Sequence, residues 1–248
     1  MRIVIDAQSL QAAHHYDCVT WKNGASPSAG KRLSSFEALF SSHGWIVGDS
    51  RSTQLRITDD LLKDTQVFAI FTRPCLAPFK NNEIYRIVTF VDNGGILLHL
   101  SNHPSLGPGK IDLTVEDEKL SRLFGVHFTP ELFPADGGSS GETTIATSEL
   151  HDHKITSSIT KGLYFRNSCV IRLDDNCGFA PVVNLPGFED RKGYFSVCGT
   201  YGAGRAVFVA DSGFLCNDDT CVPGKGYFRC AHNHRFAENL VTYFSENV

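Results

Sequence analysis

The sequence predicts an α/β fold: a three-layer sandwich whose central sheet is mostly parallel, with an antiparallel extension towards the carboxyl end. Two patterns carry this prediction. From residue 2 to residue 100, short apolar runs alternate with amphipathic stretches, an order that produces parallel strands joined by helices. Beyond residue 170 the apolar runs follow one another through short connections such as GTYGAG, which favours antiparallel pairing.

Length and composition fit one α/β domain spanning residues 1–248. The chain is 42% hydrophobic and 20% charged, and its net charge is −4. No basic stripe indicates nucleic acid, and neither a signal peptide nor a bilayer-length apolar run occurs. We therefore expect a cytoplasmic protein without membrane association. The eight cysteines include no C-x-x-C pair, and we expect mainly reduced thiols.

Strands and helices alternate in the first part of the chain. Each predicted strand is a short apolar run, at residues 2–6, 67–72 and 96–100. A helix from Ser34 has the pattern of a capping box with Glu37 and stops at Gly44. A second helix at 82–92 carries its apolar residues on one stripe. Residues 7–33 form a long polar loop, a feature typical of functional segments.

The rest of the chain is predicted to contain a short helix, a group of strands and a terminal helix. The short helix spans 116–124 and ends at Gly125, and 134–142 is a surface loop. Predicted strands follow at 170–173, 179–184, 194–198 and 205–211. The last helix runs from about Asn233, the expected N-cap, to Phe244.

Polar side chains follow the apolar strands, at the point where each strand ends. In open α/β sheets ligands bind beyond these carboxyl ends, so the sequence predicts a pocket for a polar small molecule there. We assign ligand binding to five side chains near the strand ends: Gln8, Arg73, Ser101, Asn102 and Ser212. Arg73 would take an anionic group. In the alternative interpretation, Asp6 and Asp211 cap turns or helices and Arg73 pairs with one of them.

Three residues at the same strand ends are candidates for acid–base catalysis. His103 is the first choice for proton transfer, and Asp6 or Asp211 would orient it or hold a metal ion. Ser101 and His103 share one face of an extended strand and would form a nucleophile–base pair, but Pro104 indicates a plain loop.

Two groups of residues have metal-ligand chemistry without the close-spaced pairs of a structural zinc site. His14 and His15 in the long loop would reach the strand ends and form a divalent-metal site beside Asp6, His103 and Asp211. The second group lies near the carboxyl end and comprises Cys216, Cys221, Cys230, His232 and His234. Instead of binding a metal ion, each group could simply lie in a solvated loop. In the second group, Cys216 and Cys221 could also form a redox-active pair. We interpret HDHKIT, residues 151–156, as a structural turn.

Five segments of the chain, taken in order, resemble one superfamily. They are RIVIDAQ, FVDNGGILLHLSNHP, HDHKITSSITKGL, YGAGRAVFVADSGFLCND and NHRFAENLVTYF. In this order they resemble the class I glutamine amidotransferase-like superfamily, in its non-amidotransferase branch. That branch includes trehalose-utilisation-like proteins, a gliding-motility transport component and the N-terminal domain of an intraflagellar transport subunit. The resemblance implies a flavodoxin-like form of the three-layer sandwich.

The catalytic residues of true amidotransferases have no counterparts in this chain. The resemblance implies a cysteine nucleophile at the turn after the strand at 96–100, followed by a histidine and a glutamate. Here that turn holds Ser-Asn-His at 101–103, and His232 and His234 lack the carboxylate. A thiolate nucleophile needs a base to activate it and a group to orient that base. We therefore expect no glutaminase activity.

Three functions fit these observations. The first is a degenerate amidotransferase-like protein that binds a polar small molecule, of sugar or nucleotide type, at the strand ends. The second is a hydrolase, lyase or isomerase in which His103 acts with Asp6 or Asp211, with or without a metal ion. The third is a protein-interaction module. The sequence indicates no particular cofactor, and a homo-oligomeric state stays open.

Overall fold

The computed structural model describes residues 1–6, 33–53, 56–73, 77–104, 112–134, 142–188, 192–217 and 227–248. Within these residues eleven strands form two sheets, and five α-helices accompany them. The strands are β1 Arg2–Ile5, β2 Ile46–Asp49, β3 Val67–Phe71, β4 Ile96–Leu100, β5 Val126–Phe133, β6 Glu142–Ile145, β7 Leu163–Arg166, β8 Ser168–Leu173, β9 Phe179–Asn184, β10 Tyr194–Tyr201 and β11 Gly204–Val209. The helices are α1 Ser34–Ser42, α2 Asp59–Lys63, α3 Asn81–Asp92, α4 Val115–Ser121 and α5 Asn233–Ser245.

The larger sheet has a parallel part and an antiparallel part. Its strand order is β2-β1-β3-β4-β11-β10-β8-β5, with β9 paired to β10. Neighbours from β2 to β11 in this order are parallel, whereas β10 is antiparallel to β11, β8 and β9, and β5 to β8. The predicted α/β class is confirmed, and the strands predicted near 2–6, 67–72, 96–100 and 205–211 all lie in this sheet.

Helices cover the parallel part on both faces. In the strand order, β2 lies to one side of β1, whereas β4 lies to the opposite side of β3. Because both connections are right-handed and run in opposite directions along the sheet, α1 and α3 lie on opposite faces. Helix α5 packs beside α1, where the rings of Phe40 and Phe244 lie 6.3 Å apart. Strands β3 and β4 are buried along their whole length, as parallel strands between two helix layers must be. No helix in the described part of the chain is long and apolar enough to cross a bilayer.

The predicted capping box at the start of α1 is wrong. Leu33, not Ser34, occupies the cap position, and its side chain makes no capping hydrogen bond. Instead, the side chain of Asn217 donates to the Ser34 hydroxyl (2.5 Å) and accepts from the Ser35 amide (3.3 Å). Asn217, which follows β11 in the chain, therefore provides hydrogen bonds at the start of α1 that were expected to come from the helix's own residues.

The predicted N-cap at α5 is also wrong, because His232 precedes the helix and Asn233 is its first residue. The buried Asn233 side chain instead binds four backbone groups. Its Nδ2 donates to the carbonyls of Tyr164, Phe214 and Tyr227, and its Oδ1 accepts from the Tyr164 amide. Asn233 thus connects the last helix to β7 and to the two short turns beside it.

Four strands were not predicted: β2, β5, β6 and β7. Strands β2 and β5 are the first and last strands in the order of the larger sheet, and β6 pairs only with β7 in a small second sheet. Strand β5 contains Pro130, and its pairing with β8 shifts between Thr129 and Phe133. Edge strands are partly exposed, so they lack the continuous apolar runs that identify β3 and β4.

Candidate functional site

The carboxyl ends of β1, β3, β4 and β11 lie side by side at one edge of the sheet. The parallel pairs place Asp6, Thr72, Ser101 and Asp211 just after these strands. We call this the carboxyl edge. It is where the sequence predicts the ligand site, and the described residues of that prediction all lie near it. Three predicted residues lie outside the described part of the chain: Gln8, His14 and His15.

Arg73 is buried and its charge is neutralised inside the fold. Its Nη1 lies 2.6 Å from Asp6 Oδ2, and its Nη2 lies 3.5 Å from Glu83 Oε2. The guanidinium also stacks on Phe79, with 4.7 Å between Arg73 Cζ and the ring centroid. The ion pair with Asp6 agrees with the alternative interpretation of the sequence, in which Arg73 pairs with an aspartate. With two carboxylates beside it, Arg73 has little attraction left for an anionic ligand.

Asp117 and His99 extend this buried network, although neither was predicted as a site residue. Asp117 Oδ1 accepts from the Arg73 amide (2.8 Å) and lies 2.9 Å from His99 Nε2. Burial raises the pKa of Asp117, and the hydrogen bond with His99 partly offsets that rise. One signal was available for His99, because it is the polar residue in the otherwise apolar strand β4. Asp117 gives no such signal, since acidic residues are common in the first turn of exposed helices.

A short chain of hydroxyl and amide groups connects the ends of β3 and β4 with the segment after β11. Thr72 Oγ1 donates to Ser212 Oγ (2.9 Å), and Asn102 Nδ2 donates to the same oxygen (3.1 Å). Two predicted ligand-binding residues, Asn102 and Ser212, thus bind each other. Thr72 has a φ of 61°, which a β-branched residue rarely adopts. Strained residues of this kind cluster at functional sites.

The structure brings a cysteine to the carboxyl edge that was not predicted there. The Cys169 amide donates to the Ala210 carbonyl (3.3 Å), which places the start of β8 beside the end of β11. Burial and the charge of Asp117 raise the pKa of the Cys169 thiol well above its usual value, although Ser101 lowers it in part. A buried neutral thiol is a poor nucleophile. The surroundings of Cys169 therefore disfavour the thiolate form that a nucleophilic cysteine needs.

The Asp211 carboxyl is mostly protonated at neutral pH. Burial raises its pKa to about 8, even though its Oδ1 accepts from the Gly213 amide (2.8 Å). Its Oδ2 is buried and has no hydrogen-bond partner among the described residues. In the protonated form this carboxyl is able to donate a hydrogen bond as well as accept one.

Five buried side-chain oxygens at the carboxyl edge and beside Cys169 have no hydrogen-bond partner within the described residues: Ser101 Oγ, Asp117 Oδ2, Asn167 Oδ1, Ser168 Oγ and Asp211 Oδ2. Two nitrogens of the adjoining network, Arg73 Nη2 and His99 Nδ1, are also buried without a hydrogen-bond partner there. The Ser101 hydroxyl is near enough to lower the pKa of Asp117 and Cys169, but none of its contacts has hydrogen-bond geometry. Folded proteins pair about 90% of their buried polar groups, so this concentration indicates a place for a polar partner.

His103 is almost buried, and its imidazole is neutral at physiological pH. Burial lowers its pKa, the hydrogen bond to the Pro104 carbonyl raises it in part, and the charges of Arg166 and Asp112 lower and raise it by less. Its Nδ1 donates to the Pro104 carbonyl (2.7 Å), which leaves Nε2 as the acceptor. The charges that shift its pKa do not include either of the predicted aspartate partners.

Among the described residues, no three His, Cys, Asp or Glu side chains come close enough together to hold a metal ion. In the second predicted metal group, the buried Cys216 thiol donates to the Ser212 carbonyl (3.3 Å), and the His232 and His234 rings lie 5.8 Å apart. Cys221 lies outside the described part. The five described cysteines are free thiols. HDHKIT forms a short turn, Lys154–Thr156, that packs on α5, in agreement with its structural interpretation.

No protein-family model and no curated protein matches the chain, but solved structures share its fold. The N-terminal domain of mmIFT52 aligns with a TM-score of 0.67 at 8% identity, over 99% of this chain and 97% of that one. The cytoplasmic protein STM3548 from Salmonella typhimurium aligns with a TM-score of 0.58 at 13% identity, over 86% of each chain. The beta-galactosidase from Rahnella sp. R3 aligns with a TM-score of 0.57 at 14% identity, over 99% of this chain but 31% of that one. At such identities the likeness shows the fold alone.

Proposed function

We propose that the chain binds a small polar molecule, of sugar type, at the carboxyl edge and has no glutaminase activity. The observation that carries this proposal is the group of five buried side-chain oxygens without hydrogen-bond partners among the described residues. Bound ligand groups would supply the missing hydrogen bonds at the place where open α/β sheets bind their ligands. On this proposal the chain is a flavodoxin-like member of the class I glutamine amidotransferase-like superfamily that has lost the nucleophile.

The charges at the carboxyl edge favour a sugar over a nucleotide. Arg73, the cation that the sequence suggests for an anionic group, already has two carboxylates beside it. Asp211, Cys169 and His103 are uncharged at neutral pH. The remaining hydroxyl, carboxyl and amide groups both donate and accept hydrogen bonds, as sugar hydroxyls do.

The test is isothermal titration of a panel of monosaccharides, disaccharides and nucleotides, first into the wild-type protein and then into Ser101→Ala. Because the Ser101 hydroxyl has no hydrogen bond of good geometry, its removal should leave the free energy of unfolding unchanged or slightly increased. The same change should weaken sugar binding about tenfold, the scale of one lost hydrogen bond.

The matched control is Ser196→Ala, which removes a buried, unpartnered hydroxyl from β10, two strands away from β4. This variant should bind the sugar as wild type does. If no sugar in the panel binds, or if both serine variants lose affinity equally, the proposal is wrong.

The glutaminase part of the proposal is tested by ammonia release from glutamine. Wild-type protein and Cys169→Ala should both give the background rate, because the thiol at this edge is buried and protonated. Ammonia release by the wild type that Cys169→Ala abolishes would show that this thiol becomes reactive and would overturn the assignment.

A second candidate function, acid–base catalysis, is favoured by one observation. The pKa of His103 is lowered and that of Asp211 is raised to about 8, so at neutral pH the histidine is available as a base and the aspartate as an acid. If a bound sugar is turned over, His103→Ala should slow the reaction by about a hundredfold or more, and Ser101→Ala far less. Equal, severe losses would indicate a Ser101–His103 nucleophilic pair instead.

A further inference from the structure

The protein buries more carboxyl groups than cations near the carboxyl edge. Five acidic side chains of the described residues are buried: Asp6, Glu83, Glu116, Asp117 and Asp211. Arg73 lies against the first two of them, and Lys119 Nζ reaches Glu116 (2.5 Å). Within the described part of the chain no lysine or arginine pairs with Asp117 or Asp211. Two buried carboxyl groups at this edge are therefore left without a permanent cation.

Both carboxyl groups use one oxygen inside the fold and leave the other. Asp117 Oδ1 accepts from the Arg73 amide and contacts His99, and Asp211 Oδ1 accepts from the Gly213 amide. In each case Oδ2 is buried and has no hydrogen-bond partner among the described residues. Each aspartate thus offers one carboxyl oxygen to a bound group.

The five buried oxygens at the edge are mainly hydrogen-bond acceptors. The Asn167 amide oxygen and the oxygens of an ionised carboxyl group only accept, whereas the hydroxyls of Ser101 and Ser168 also donate. A ligand that satisfies this set must be rich in donors. A protonated primary amine has three donors and no acceptor, and its charge is opposite to that of a carboxylate.

Three of these groups lie around the Cys169 thiol. The charges of Asp117 and Asp211 raise the pKa of this thiol, and a hydrogen bond from Ser101 lowers it in part. One buried thiol is therefore close to all three side chains, although they come from β4, α4 and β11 or directly follow those elements. A single small group on a ligand is able to reach more than one of them.

The protonation of the two aspartates also indicates a missing cation. Burial raises the pKa of Asp117 and brings that of Asp211 to about 8, while backbone amides and, for Asp117, His99 and Ser101 lower it in part. The exposed Arg166 acts on His103, and Cys169 beside the two carboxyls stays protonated. A bound ammonium group would lower both carboxyl pKa values, so that Asp211 would release its proton to solvent.

An anion and a metal ion fit this edge less well than an ammonium group. Arg73 already has two carboxylates beside it, and further negative charge would lie against buried aspartates. No three His, Cys, Asp or Glu side chains of the described ranges come close enough together for a metal ion. An ammonium group also accepts hydroxyl and amide oxygens as partners, which Ser101 and Asn167 provide.

We propose that the ligand at the carboxyl edge carries a protonated primary amine that binds among Ser101, Asp117 and Asp211, and that the protein therefore prefers amino sugars to neutral sugars. The sugar part of this inference rests on the proposed function. The ammonium group donates to the carboxyl oxygens, and the ring hydroxyls bind the remaining polar groups of the edge.

The test is isothermal titration at pH 7 with three matched ligands: glucose, glucosamine and N-acetylglucosamine, and likewise with the galactose series. Cadaverine provides the amine without a sugar ring. At least one amino sugar should bind at least about tenfold more tightly than both its parent sugar and its N-acetyl form, the scale of a charge-assisted hydrogen bond. Titration in two buffers of different ionisation enthalpy should show net proton release with the amino sugar only.

Two variants remove the charge and keep the shape. Asp117→Asn and Asp211→Asn each retain an oxygen for the backbone amides that the aspartates bind. Each should reduce the preference for the amino sugar about tenfold and change the affinity for the parent sugar little. Asp175→Asn makes the same change at an exposed aspartate and should keep the preference of the wild type. Circular dichroism checks that the variants are folded, and proton release by the wild type tests the proposal without them.

The outcomes separate this inference from the proposed function. If parent and N-acetyl sugars bind as tightly as amino sugars, or if amino sugars bind without proton release, the amine inference is wrong and the sugar site stands. If cadaverine binds in an Asp211-dependent manner and no sugar does, the amine site is supported and the sugar-type ligand is wrong. If none of these ligands binds, or if Asp175→Asn loses the preference as the other variants do, the inference is overturned.

Discussion

Replacing Asp211 with asparagine should stabilise the protein by an amount that grows with pH. In the folded chain burial raises the pKa of this carboxyl from an ordinary value of 3.8 to about 8. The folded state therefore holds the proton more tightly than the unfolded state does. This contribution to stability is fully present below the unfolded pKa and is lost as the pH rises towards 8. Asparagine keeps an oxygen for the Gly213 amide and carries no charge at any of these pH values.

The size of the effect follows from the two pKa values. Between them, each pH unit costs the wild type about 1.4 kcal/mol of folding free energy, so full linkage would approach roughly 6 kcal/mol at pH 8. Structural relaxation and water entry around an ionised group reduce such penalties. We expect Asp211→Asn to exceed the wild type by about 2–4 kcal/mol at pH 8 and by less than about 1 kcal/mol near pH 4.

The assay is urea unfolding of both proteins at a series of pH values, compared through the free energy of unfolding in water. Asp175→Asn is the matched control, because it makes the same chemical change at an exposed aspartate and should leave the pH dependence unaltered. A difference that stays constant with pH, or an Asp211→Asn variant less stable than wild type at pH 8, would refute the reasoning.

The remaining predictions concern stability. Asp6→Ala should lower the free energy of unfolding by about 3–5 kcal/mol, because Arg73 loses its nearest buried counter-ion; a loss below about 1 kcal/mol in urea titration would contradict this. Asn233→Ala removes four hydrogen bonds and should cost at least about 2 kcal/mol by calorimetry, whereas an unchanged melting temperature would rule out their importance. Burial lowers the pKa of His127, but Glu118 and Asp174 raise it above 6.5 overall. The stability that this histidine contributes is therefore present below the unfolded pKa and is lost as the pH rises through the folded pKa. Proton NMR titration should show this raised pKa fall in Glu118→Gln.

The sequence by itself determined the strands and helices whose burial requires a regular pattern of apolar residues. Strands β3 and β4 lie between two helix layers, so each had to be an apolar run, broken in β4 by His99 alone, and α3 had to carry one apolar stripe. The carboxyl edge followed from the same patterns, because the carboxyl ends of neighbouring parallel strands meet at one edge. The position of Asp6, His103 and Asp211 after these strands therefore followed from the sequence, and their roles at a site stay a prediction.

Only the tertiary structure decided what the side chains at that edge do. Asn217 replaces the predicted cap of α1, Cys169 arrives from β8, and Asp117 reaches the Arg73 amide from a helix start. Each of these contacts joins residues far apart in the chain, and no local pattern encodes such a distance. The raised pKa of Asp211 could not be predicted from the sequence either, because it depends on how completely the surrounding chain excludes water from this carboxyl group.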